Sequence, residues 1–180
     1  MAVVVVAVGE MDARLQEPLC AGVSDALGCT AIAAGELATE SFYDTERAQY
    51  RSTAMLPLLA NMQHTPDDRV LGLTMVDLFI PVLTFVFGEA MLAGAAAVVS
   101  SHRLDPEVYG LPPDPPRLQQ RLIKEGVHEL GHTYGLVHCR HPACVMRASR
   151  AVDDVDGKTA SFCLSCAERL ALVGLRVAVV

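Results

Sequence analysis

A chain of 180 residues has the length of one domain, enough to bury a single substantial core and too little for a second large unit. Apolar residues make up 52% of it and charged residues 19%, with a mean hydropathy of +0.34, so long disordered stretches are excluded. Fourteen Lys and Arg against twenty-one Asp and Glu give a net charge of −7 with no basic cluster, which argues against nucleic acid or anionic lipid as the partner.

In chain order, residues 1–8 form an apolar, valine-rich run that reads as a buried β-strand. Apolar residues at helical spacing follow (Leu15, Leu19, Val23, Leu27) up to Gly28, and Pro18 inside that pattern places the start of the regular helix near Glu17. Residues 29–34 suit a second strand, giving a β-α-β opening with parallel strands. Residues 44–62 have helical character, divided or kinked at Pro57, and residues 70–76 read as a third strand. Two more strands are expected at 85–87 and 95–100, joined through Gly88 to Gly94. Asp114-Pro115-Pro116 is a helix start, since Asp accepts from free amides of the first turn and proline suits the first helical position. Ile123, Val127, Leu130 and Tyr134 then share one face while His128 and His132 lie on the other. A last helix is expected over residues 164–173.

None of the apolar runs (1–8, 91–99 and 170–180) reaches the roughly 18 residues of a membrane span, and no basic segment precedes the first. The expectation is a soluble cytoplasmic protein. The cysteines are Cys20, Cys29, Cys139, Cys144, Cys163 and Cys166, four of them in the last quarter of the chain, and in a reducing compartment such a cluster reads as metal ligands ahead of disulfides.

The chemistry is concentrated in His128-Glu129-Leu130-Gly131-His132. Four-residue spacing on a helix puts both imidazoles on one face, one turn apart, where two nitrogens reach a single ion, and Glu129 lies about 100° round the axis, near enough to hold a water without ligating. The pattern continues through Gly135, which permits a sharp turn at positive φ, to His138, a third nitrogen supplied from beyond the helix. Three protein ligands leave a fourth position for water, as in a catalytic zinc site. Cys139, Cys144, Cys163 and Cys166 form two close pairs suited to a closed structural zinc site, which would pin the segment carrying His138. His64, His102 and His141 read as surface residues, Cys20 and Cys29 as small buried hydrophobes, and Tyr134 as packing.

His128-Glu129-x-x-His132-x-x-Gly135-x-x-His138, followed by Cys139, Cys144-x-Met146 and Cys163-x-x-Cys166, resembles the archaemetzincins among the metzincin zinc peptidases, and residues 77–100 are similar to that family's sheet region. One departure is the sixteen residues between Met146 and Cys163, one fewer than in the family. The resemblance implies an α/β fold: a compact metzincin-like domain over residues 1–180, with a twisted mixed sheet, an active-site helix and a zinc-organised C-terminal segment. It also implies that His128, His132 and His138 ligate a catalytic zinc, that Glu129 is general base and acid, that Met146 forms an apolar floor under the metal, and that Cys139, Cys144, Cys163 and Cys166 hold a second, structural zinc. The expected activity is peptide-bond hydrolysis on a peptide or protein substrate, through a zinc-bound water deprotonated by Glu129. An exposed edge at residues 85–90 is the candidate for pairing with an extended peptide. The competing readings are a non-catalytic zinc- and peptide-binding domain and a purely structural zinc protein.

Overall fold

The computed structural model describes all residues 1–180. Its main sheet has five strands, β1 (Ala2–Val8), β2 (Thr30–Leu37), β5 (Arg69–Thr74), β7 (Gly88–Ala90) and β8 (Ala96–Ser100), in the order β2-β1-β5-β8-β7. All neighbours are parallel except β7, which runs antiparallel to β8 at one edge. A second, three-stranded sheet is formed by β3 (Tyr43–Asp44), β4 (Gln49–Arg51) and β6 (Leu78–Phe79).

Strand β1 is valine-rich because it is covered on both faces. Its alternate residues enter two separate cores: Val3 and Val5 pack with Leu71, Leu73, Ala97 and Val99, while Val4, Val6 and Val8 pack with Val70, Ala96 and Val98. Helices α1 (Ala13–Leu27) and α3 (Pro115–Thr133) cover the first face, and α2 (Ser52–Ala60) covers the second. Glycines let α1 and α3 approach closely. A Cβ at Gly22 would collide with Ile123, and one at Gly126 would press on Leu19 and Leu71. Two short helices, α4 (Val152–Asp156) and α5 (Leu164–Ala171), complete the fold, which is the α/β arrangement with a mixed sheet that the sequence predicts.

Several boundaries differ from expectation. Helix α1 begins at Ala13, four residues before Glu17, because the Asp12 carboxylate caps it through the Arg14 amide at 3.0 Å. Pro18 lies inside it at the cost of one main-chain hydrogen bond, offset by burial of Leu19, Cys20 and Val23. The 44–62 segment is helical only over Ser52–Ala60; its first part is the β3–β4 hairpin, and Pro57 lies within the helix. Phe85 to Phe87 form no strand. Val86 makes a single bridge to Leu78, and the edge strand comes later, over Gly88–Ala90. No helix is long and apolar enough to cross a membrane.

Candidate metal centre and substrate cleft

Helix α3 starts where Asp114 accepts from the Arg117 amide at 3.1 Å and ends in a Schellman turn. In that turn Gly135, at φ +84°, donates to the His132 carbonyl and Leu136 donates to that of Gly131. The chain reverses there, so His138 returns to the face that carries His128 and His132. The β7–β8 turn is tied to the same helix end through the Ala93 amide, which donates to the His132 carbonyl at 2.9 Å.

The ring nitrogens of His128, His132 and His138 all lie within 4.8 Å of one another. His128 Nδ1–H donates to the Val145 carbonyl at 2.8 Å and His132 Nδ1–H to that of Leu136 at 2.7 Å. A carbonyl can only accept, so both rings carry their proton on Nδ1 and turn an Nε2 lone pair inward. These two Nε2 atoms stand 3.1 Å apart. Two lone pairs at that range repel unless a cation lies between them, and tetrahedral Zn–N bonds of about 2.0–2.1 Å set their nitrogens roughly 3.3 Å apart. Burial holds all three imidazoles below the usual histidine range, with the Lys158 ammonium a further cause at His128, which favours the neutral ligating form. The donor set fits zinc.

Glu129 is buried beside these rings, and desolvation, followed by the charge of Glu125, raises its carboxyl well above the usual range. Its side chain lies against Gly88 of the edge strand, where any Cβ would strike Glu129 Cγ and the Val98 carbonyl. Cavities of about 450 Å³ and 390 Å³ adjoin it, both lined by Leu83, Val86 and Gly88 together with His128, Glu129 and His138.

The Sγ atoms of Cys139, Cys144, Cys163 and Cys166 also lie within 4.8 Å of one another. Cys139 and Cys163 sulfurs are 3.7 Å apart, too far for a disulfide and close to the roughly 3.8 Å that two Zn–S bonds of about 2.3 Å subtend. The amides of His141 and Cys163 donate to Cys139 and Cys144 sulfurs, a pattern suited to thiolates. Met146 is fully buried beneath the active helix, its sulfur where a Cβ on Gly131 would fall. His64 and His141 are exposed and His102 is half-buried, all outside either cluster.

Sequence reasoning overlooked a buried polar group behind the imidazoles. Lys158 is ion-paired with Glu125 Oε1 at 2.8 Å and donates to the Arg147 carbonyl at 3.0 Å, its ammonium 3.3 Å from His128 Nδ1. Glu125 precedes His128 by three positions and so shares its face. That periodicity marks Glu125 as a neighbour of the cluster, but nothing local singles out Lys158, delivered from beyond α4.

A mixed sheet over a helix bearing two imidazoles, joined by a third from the segment beyond it, beside a knot of four thiols, defines the class of zinc metallopeptidases. Residues 30–172 match Peptidase family M54. The archaemetzincin of Methanocaldococcus jannaschii is 43% identical over 137 residues, covering 76% of this chain and 74% of that protein. A crystal structure of a zinc-dependent peptidase from Methanocorpusculum labreanum superposes with a TM-score of 0.85 at 30% identity, over 93% of this chain and 99% of that one. The archaemetzincin of Archaeoglobus fulgidus, crystallised with malonate, gives a TM-score of 0.82 at 34% identity over 94% and 99% of the two chains. The chain belongs to Peptidase family M54, the archaemetzincins, and is a zinc metallopeptidase.

Proposed function

We propose that residues 1–180 act as one peptidase domain in which His128, His132 and His138 hold a catalytic zinc and Glu129 is the general base and acid. The observation carrying this reading is the convergence of three ring nitrogens within 4.8 Å, two with their tautomers set by carbonyls, beside a buried carboxylate that makes no hydrogen bond of its own. Zinc bound there lowers the pKa of a coordinated water towards neutrality and polarises a scissile carbonyl. Glu129 accepts the water's proton and passes it to the leaving amine; its raised proton affinity suits both transfers. The exposed edge of β7 gives an extended peptide main-chain partners directly above Glu129, and Gly88 allows that approach.

The four cysteines hold a second, structural zinc, so two ions per chain are expected. Cys139 follows His138 directly, so closing the thiolate site fixes the segment that delivers the third imidazole. Four unbridged thiols and the absence of a basic surface cluster in the sequence favour a cytoplasmic setting and a peptide or protein substrate, with neither nucleic acid nor membrane as partner. Glu129→Gln tests the assignment: hydrolysis falls by about 10²–10⁴-fold while two zinc ions per chain remain. Unchanged turnover removes Glu129 from its role, and one ion in the wild type removes the second site.

A further inference from the structure

The cavity of about 450 Å³ lined by His128 and His138 has two kinds of wall. One is apolar and aromatic, built by Leu83, Phe85 and Phe87, whose two rings meet edge to face at 5.3 Å. The other belongs to α3 and the segment after Met146, and includes Glu125 and Ser149.

Glu125 is only 2% exposed, and its two oxygens differ. Oε1 takes both protein contacts: it is ion-paired with Lys158 Nζ at 2.8 Å and accepts from Ser149 Oγ at 3.2 Å. Oε2 takes none. It is also absent from the sealed, unpartnered polar atoms, which are Arg69 Nε and Tyr134 Oη alone. An oxygen without a partner that is not sealed off, on a carboxylate lining a cavity, opens into that cavity. A ligand that fills the cavity cuts that oxygen off from solvent, so it binds well only if it supplies a donor in return.

Charge decides which donor fits. Lys158 already neutralises Glu125, a dication on the three neutral imidazoles outweighs Glu129, and Arg150 lines the same cavity, so a cationic side chain would enter a site with positive charge in excess. An aromatic side chain ending in a neutral hydroxyl satisfies both walls: its ring lies against Phe85 and Phe87 and its O–H reaches Oε2. Resting on the peptidase reading above, we propose that this cavity receives the side chain flanking the scissile bond and that Glu125 Oε2 selects tyrosine there over phenylalanine and over lysine.

The test compares three peptide hydroxamates identical except for the pocket side chain, which is 4-hydroxybenzyl, benzyl or 4-aminobutyl. Their affinities for the zinc-loaded wild type are measured by calorimetry, so the readout does not depend on turnover. A hydrogen bond to a charged acceptor predicts that the hydroxybenzyl compound binds at least about tenfold more tightly than the benzyl one. The aminobutyl compound binds more weakly than the hydroxybenzyl one. Equal affinity of the two aromatic compounds, or tightest binding by the amine, overturns the inference and leaves the peptidase reading standing. Failure of all three to bind overturns both.

The assignment to Glu125 is checked by replacing both charges together, Glu125→Met with Lys158→Met, which leaves no unpaired buried ion. The hydroxyl preference then falls to about one. A folded double variant that keeps the full preference shows that some other group reads the hydroxyl and overturns the role given to Glu125. If that variant does not fold, the comparison of hydroxamates on the wild type still decides the preference.

Discussion

Replacing Gly88 by alanine adds a single methyl group where β7 passes over Glu129. That Cβ would lie 2.6 Å from the Val98 carbonyl oxygen and 2.7 Å from Glu129 Cγ. Both fall about 0.7–0.8 Å short of ordinary van der Waals contact, so something must shift. Val98 is backbone in the neighbouring strand, so either the edge strand lifts or the carboxylate moves. Overpacking of this kind costs roughly 1–3 kcal/mol, or about 3–10 °C in melting temperature for a domain of this size. The catalytic effect is larger, because misplacing a reacting group by about 1 Å costs on the order of 10²-fold in rate. The assay is kcat/KM on a peptide substrate, with zinc content and melting temperature measured on the same sample. Activity within about twofold of wild type, at an unchanged melting temperature, would show that Gly88 does not set the position of Glu129 and would refute the packing argument.

Three further outcomes are expected. Tyr134 has its hydroxyl buried without a partner, and burial pushes its pKa up to about 12, so Tyr134→Phe leaves stability equal or higher and activity unchanged, read by melting temperature and kcat. Arg121 holds Asp156 below the usual carboxylate range through a hydrogen-bonded ion pair at 2.6 Å, which adds stability above about pH 4 that is lost as pH falls through the depressed value. The stability gap between wild type and Asp156→Asn, about 0.5–1 kcal/mol at pH 7 because solvent screens this half-exposed carboxylate, therefore narrows on acidification in denaturant titrations. Cys163→Ser removes one ligand of the thiolate site, so metal analysis should find one zinc fewer, with a lower melting temperature and loss of activity through a freed His138.

Much of this protein is written locally in its chain. The valine run of β1, the Asp114-Pro115 start of α3, the turn at Gly135 and the spacing of His128, His132 and His138 rest on short-range geometry: a 3.6-residue period, a cap, a glycine at positive φ. The sequence by itself therefore determined that three imidazoles converge beside Glu129, and that four thiols cluster next to them. It misplaced what depends on context. Asp12 and Pro18 compete for the start of α1, and the cap prevails because the extra turn is anchored by a buried face. Phe85 and Phe87 have strand propensity, yet pairing with β8 is taken by Gly88 to Ala90, since only a glycine fits above Glu129. Tertiary structure alone decided that Lys158 meets Glu125, and that one oxygen of that carboxylate stays free. These groups stand 33 positions apart with α4 in the intervening chain, and no periodicity or cap signals a contact made only when the chain closes on itself.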